Sequence, residues 1–281
     1  MEKFLVQLIE SFLIGIASSA LVVFLGIQSL KDYMRRSELN REYGNLKSFW
    51  STGQTDGTYT LIFGSEEGEE TEFEVEPRVG YSQAFGIAEI TRLLETLHER
   101  RTTINTVLLS RNDPFPKAAF NTNVLLFGGE LVLSRFRQFC LDLGVPFYQH
   151  SLQPDRRSFT RLDSGSVVEE LISQVNYKEK KIHRDIGTVT RIINPLNGKL
   201  LFLFNANYSA GLLGAILATT KKENFQNQFF DQTKVAQQAV VEVPSIQDNL
   251  ISRDHPVVMR NWIQFQVTAE QVSKALEKAA A

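Results

Sequence analysis

Uncharged residues run without a break from Ser11 to Leu30, with Glu10 on one side and Lys31 on the other. A helix rising about 1.5 Å per residue covers about 30 Å over this run, the thickness of a bilayer's hydrocarbon core. Backbone groups in lipid must be satisfied internally, so the pattern predicts one transmembrane helix within residues 1–30. The start is Met-Glu-Lys and no small-residue cleavage site follows, which sets the run apart from a signal peptide. Lys31, Arg35 and Arg36 follow the span, whereas Lys3 alone precedes it. The positive-inside rule then places the N-terminus outside and the bulk of the chain in the cytoplasm. Gly15 and Ser19 share the spacing that lets helices approach closely, a route to a homo-oligomer.

Beyond the span, residues 31–57 read as a polar stalk, helical to about residue 49 and then broken by glycine and threonine. Residues 58–281 alternate strand and helix signals. Strands are expected at 58–63, 104–109 and 123–127, and an amphipathic helix at 84–100, where Ile87, Ile90, Leu93, Leu94 and Leu97 recur at helical spacing. The seven glutamates between Glu66 and Glu76 suggest a solvated loop leading to an edge strand. Residues 121–150 follow the order strand, Gly128-Gly129, helix over 131–143, strand from 145, which predicts a parallel crossover unit. A helical segment is expected over 167–175. Strands at 185–193 and 199–204 are joined by Asn194-Pro-Leu-Asn-Gly198, which carries the Asn-Gly hairpin signal. A helix at 212–219, apolar all round and therefore buried, comes next. A Gln/Asn-rich excursion, strands at 239–243 and 262–267 and a terminal helix complete the order. The sum is a three-layer, Rossmann-like α/β sandwich with a mostly parallel sheet and antiparallel edge strands, preceded by one transmembrane helix.

Composition narrows the function classes. Hydrophobic residues at 43% support a packed core. A net charge of −2 gives no basic stripe, so a nucleic-acid partner is not expected. The single cysteine, Cys140, rules out an internal disulfide and any zinc site built from several thiolates; within an amphipathic helix it reads as a buried, inert thiol. His98, His150, His183 and His255 lack metal-binding spacing, and no serine sits in a GxSxG elbow. No catalytic constellation and no metal site emerges, and the pattern specifies no cofactor.

Two strand-to-helix turns carry the candidate ligand chemistry. In Phe127-Gly128-Gly129-Glu130, glycines let backbone N–H groups and the positive end of a helix converge on one point, which suits an anion; Glu130 itself could occupy that helix end. In the run from Asn205 through Asn207 and Ser209 to Gly211, amides and a hydroxyl either cap the following helix or face a ligand. Neither turn has the GxGxxG or Walker pattern. Arg156-Arg157 and Lys178 to Lys181 read as solvated basic clusters, able to meet anionic headgroups.

The run Asn123-Val-Leu-Leu-Phe-Gly-Gly129, with Asp185-Ile-Gly187, Asn194-Pro-Leu-Asn197 and the turn from Asn205 to Gly214, resembles a group of bacterial Rossmann-like proteins. In that group a GGP-x-x-N turn precedes a DYG strand, an NPFN hairpin and a GxxxGT turn. The likeness covers roughly residues 121–220, and the chain departs from it with Glu130 in place of Pro and Ser134 near the expected Asn. It implies the fold and the place of the pocket, and no activity. The expectation is a membrane-tethered, ligand-sensing or interaction domain for a small anion such as a nucleotide. The alternatives are a hydrolase or transferase drawing on Asp185, His183 or Glu130, and an oligomerising membrane scaffold without a small ligand.

Overall fold

The computed structural model describes residues 28, 30, 31, 33–35, 37–51, 57–65, 80–98, 102–129, 133–153, 156–163, 166–225, 230–231, 233–247, 249–260 and 262–281. The expected transmembrane run as far as residue 27 and its residue 29, the glutamate-rich stretch and Glu130 lie outside these residues. No helix among the described residues is long and apolar enough to cross a membrane. The chain divides into two compact units, Met1–Gly44 and Asn45–Ala281. In the first, the described residues from 28 to 44 are helical and largely exposed.

The second unit is α/β. Its main sheet contains β1 (Thr58–Gly64), β2 (Thr103–Leu109), β3 (Asn123–Gly128), β7 (Gln174–Asn176), β8 (Lys181–Ile193), β9 (Leu200–Ala206), β10 (Ala236–Val243), β11 (Val258–Met259) and β12 (Ile263–Phe265). The path runs β11-β10-β8-β9-β3-β1-β2. Strands β9, β3, β1 and β2 are parallel neighbours, while β8, β10, β11 and β12 pair antiparallel. The sheet is therefore mixed, with the hairpin and the C-terminal strands supplying its antiparallel half. The hairpin itself forms as its turn residues predict: Ile193 pairs Leu200, and Asn194 Oδ1 accepts from the Leu196 N–H at 2.9 Å.

Helices α1 (Tyr81–Leu97), α2 (Phe136–Asp142), α3 (Ser209–Thr220) and α4 (Ala269–Ala280) flank the sheet. Phe136, Phe139 and Cys140 of α2 and Val272, Ala275 and Ala279 of α4 pack over Ile62, Val124, Leu126 and Leu203. Helix α3 lies against β8, β9 and β10 and against α1. This two-sided cover explains why β3, Asn-Val-Leu-Leu-Phe-Gly, is buried at every position. It also explains why α3, Ser-Ala-Gly-Leu-Leu-Gly-Ala-Ile-Leu-Ala-Thr-Thr, has no polar stripe: eleven of its residues are buried. Asn123 ties the amino ends of the parallel strands together, donating Nδ2 to Thr58 O at 3.1 Å and accepting the Leu200 N–H at 3.0 Å.

Three expectations are corrected. The segment over 167–175 is not helical. It forms β6 (Ser166–Ile172) and the start of β7, and β4 (Phe147–Gln153), β5 (Arg156–Asp163) and β6 make a separate antiparallel sheet. The unit at 121–150 is no parallel crossover, because β4 leaves the main sheet and β3 instead pairs with β9. The helix expected over 131–143 begins only at Phe136. The small sheet has its own apolar seam, in which Phe147, Phe159 and Leu171 pack on Ile186 and Val240 of the main sheet.

Candidate functional site

Strand β1 stands between β2 and β3, so the chain leaves β1 for one neighbour and returns to the other. Connections that part in opposite directions leave a crevice beyond the carboxyl ends of such strands. A cleft of about 340 Å³ opens at these carboxyl ends. Gly128 and Gly129 line it after β3, and Ala206, Asn207, Tyr208 and Ser209 after β9. Gly80, Ser82 and Gln83 contribute the first turn of α1, and Gln149 and Arg157 the wall made by the small sheet.

The two turns singled out from the sequence therefore share one cleft, through Gly128, Gly129, Asn207 and Ser209. Asn205 is buried against the turn, its Oδ1 accepting from the Ala206 N–H at 2.8 Å. Gly211 lies one turn into α3 with its N–H already engaged. Gly129 is there for space. A Cβ at that position would stand 2.8 Å from Gln149 Oε1 and 3.0 Å from Asn205 Oδ1. Gln149 is held in turn by its Nε2, which donates to Ala206 O at 2.6 Å.

Arg157 is the only charged side chain among the described residues lining the cleft. Its Nη1 donates to Asn207 O at 2.8 Å, and its guanidinium carbon stands 4.3 Å from the centre of the Tyr208 ring. These contacts fix the fork while leaving other N–H groups uncommitted. Asn207 reciprocates: its Nδ2 donates to Arg157 O at 3.2 Å and to Ser173 Oγ at 3.0 Å. Two buried atoms of these residues have no hydrogen-bond partner, Arg157 Nε and Asn207 Oδ1. Buried polar atoms are nearly always paired, so both have capacity for a further partner.

Behind the cleft, Asp185 of β8 is fully buried and caps α3. Its Oδ2 accepts from the Gly211 N–H at 2.5 Å, and its Oδ1 from Ser173 Oγ at 2.8 Å and the Ile186 N–H at 2.8 Å. Burial pushes this carboxyl up to about 6, against the pull of its donors Gly211, Ser173, Ile186 and Tyr208. Helix α3 can sit this close because glycines face each other: a Cβ on Gly187 would collide with Gly211 O. Asp185 is thus occupied as a cap.

His98, His183 and His255 do not line the cleft, and the side chain of His150 lies outside the described residues. His183 is exposed. His98 meets the Tyr59 hydroxyl at 3.0 Å, and burial, then Lys47, lowers its pKa. His255 Nε2 lies 2.7 Å from Pro244 O. Cys140 is buried in α2, and burial pushes its thiol pKa well up, as expected of an inert thiol. The sequence signal for Arg157 was half of a basic pair, and the signal for Gly80 to Gln83 was missed because α1 begins at Tyr81, ahead of the expected 84. What the described lining offers is a fixed cation, amides, hydroxyls and helix-start N–H groups. Such groups are able to hold an anion.

Compared with known proteins, the chain matches no family model, no curated protein and no solved structure.

Proposed function

We propose that this chain is a membrane-tethered, Rossmann-like domain on the cytoplasmic face that binds a small anionic ligand, a nucleotide or a sugar phosphate. One observation carries the reading: the Gly128-Gly129 turn and the turn bearing Asn207 and Ser209 open into a single cleft whose wall holds Arg157. A phosphate there meets a cationic fork, glycine backbone that a ligand can approach closely, and the start of α1, whose first turn carries no acidic residue. The amide-bearing side chains Gln83, Gln149 and Asn207 suit the hydrogen-bonding edge of a base or a sugar. The resemblance of residues 121–220 to bacterial Rossmann-like proteins agrees with the position of the cleft. The tether rests on the uncharged run from Ser11 to Leu30 and its basic flank.

A thermal-shift screen of the full-length chain in detergent against nucleotides and sugar phosphates tests the ligand. A binder at one hundred times its Kd stabilises by about 2.7 kcal/mol. A flat response across the screen favours the scaffold reading instead. Fractionation of gently lysed cells tests the tether, which requires the intact chain to sediment with membranes.

A further inference from the structure

Residues 45–50 belong to the α/β unit although they adjoin the stalk in sequence. They are helical, and Leu46, Phe49 and Trp50 are buried to within 1% of their surface. Phe49 and Trp50 pack on Phe202 of β9, and Trp50 stacks on Phe204. Hydrogen bonds fasten the segment. Trp50 Nε1 donates to Thr219 O at 2.7 Å, at the C-terminal end of α3. Tyr59 donates its hydroxyl to Trp50 O at 2.7 Å. Arg191 of β8 donates Nε to Phe49 O at 2.9 Å.

The far ends of the same two elements build the cleft. The N-terminal end of α3 carries Ser209, follows Asn207 and Tyr208, and is capped by Asp185 of β8. Helix α3 therefore reaches from cleft to segment over ~18 Å, and β8 from Asp185 to Arg191 over ~20 Å. Both are fastened at each end, and they pack together, most closely near the cleft, where Gly187 meets Gly211.

The docked segment is also poised. Arg191 is 1% exposed, and no carboxylate pairs with it among the described residues. Its guanidinium rests 5.4 Å from the centre of the Phe230 ring, and its Nη1 has no partner. A buried, unpaired cation is costly, and withdrawal of residues 45–50 would return it to water. The gap between docked and released states is correspondingly smaller than burial of two aromatic side chains alone would make it.

We propose that α3 and β8 link the cleft to the docked segment of residues 45–50, so that a ligand held at one end alters the docking of the chain that leads to the stalk. The ligand half of this proposal rests on the anion-binding reading of the cleft; the linkage itself does not. Linkage is reciprocal, so a weakened dock must loosen the cleft.

The test uses the full-length chain in detergent and two conservative substitutions. Trp50→Phe keeps an aromatic ring, though a smaller one, and deletes the donor to Thr219. Trp262→Phe is the control, because Trp262 is in the same aromatic cluster and its Nε1 has no partner. Amide hydrogen exchange is followed at residues 207–211, with residues 124–127 of β3 as the internal reference for global opening. Trp50→Phe should speed exchange at 207–211 about threefold relative to that reference, and weaken inorganic phosphate by a similar factor, as loss of one hydrogen bond implies. Trp262→Phe should do neither. Tyr59→Phe perturbs the same segment from β1 and should act in the same direction. It decides the matter if Trp50→Phe does not fold. If exchange quickens beside residues 50 and 219 while 207–211 keep the wild-type rate, the linkage is wrong. Phosphate failing to bind the wild type while 207–211 respond sinks the anion reading and leaves the linkage standing. Equal phosphate affinity with unresponsive 207–211 does the reverse.

Discussion

Arg157 bears the anion reading at the scale of a single residue. Held by Asn207 O and by the Tyr208 ring, its fork has already lost the rotamer freedom that a loose arginine would lose on binding. Arg157→Gln should therefore weaken a nucleotide or sugar phosphate found in the screen by at least about tenfold, read by titration calorimetry. Arg157→Lys should recover only part, since an ammonium neither forks nor stacks in the same way. Unchanged affinity in both variants would remove Arg157 from the site. Asp185 makes a separate prediction, about pH. Its folded value near 6 lies above the value of about 3.8 expected when unfolded, so the folded state takes up the proton first. The stability this group contributes is then full below about 3.8 and is lost as pH rises through about 6. At about 1.4 kcal/mol per pH unit this interval amounts to ~3 kcal/mol. Asp185→Asn cannot titrate. The wild type's stability relative to that variant, from urea melts, should fall by roughly this amount between pH 4 and pH 7. A relative stability that rises with pH would mean that the α3 amides favour the anion more than burial opposes it. Arg157 was hard to single out in the sequence because Arg156-Arg157 reads as one solvated patch until β5 is known to be a strand, where successive residues face opposite ways.

At the scale of the element, what could be read depended on how locally each element is determined. Helix α3 was legible because a run of apolar and small residues without a polar stripe has only one place to go. The β8–β9 hairpin was legible because its turn chemistry lies within five residues. β6 was not, because Val167, Leu171 and Val175 also suit one face of a helix. What decides it is distant: Leu171 packs on Phe159, and Glu169 pairs with Arg260 at 2.8 Å, ninety-one residues along the chain. The same reasoning predicts where α3 is least tolerant. Its approach to β8 is backbone against backbone, so Gly187→Ala must push the helix outward from the strand that caps it. A loss of about 1–3 kcal/mol is expected in denaturant melts, the usual cost of overfilling a packed interior. The displaced α3 start should also weaken the nucleotide or sugar phosphate that the screen finds. A variant as stable as the wild type would mean that the helix is less rigidly seated than its contacts imply.

At the scale of the whole molecule, the parallel pairing of β3 with β9 and the separate β4–β5–β6 sheet were out of reach of local pattern, since each depends on partners far along the chain. The boundary between stalk and domain was hidden for a related reason. Polar spacing carries on to Phe49, and only the face of β9 shows that Leu46, Phe49 and Trp50 are core. The consequence is sharp, because truncations a few residues apart should behave differently. A chain begun at Asn45 keeps those side chains, the donor to Thr219 and the acceptor for Arg191. It should melt cooperatively by circular dichroism. A chain begun at residue 52 loses two fully buried aromatic side chains, each worth roughly 3–5 kcal/mol when cut back to alanine. It also removes the Phe49 carbonyl that accepts from Arg191 Nε. Against a typical total of about 5–15 kcal/mol, such a loss is enough to abolish cooperative folding or to leave a marginal domain. If the shorter chain instead melts within a few degrees of the longer one, residues 45–50 are an accessory to the core. Aromatic burial would then have been offset almost entirely by the cost of dehydrating Arg191, which would make release of the segment easier still.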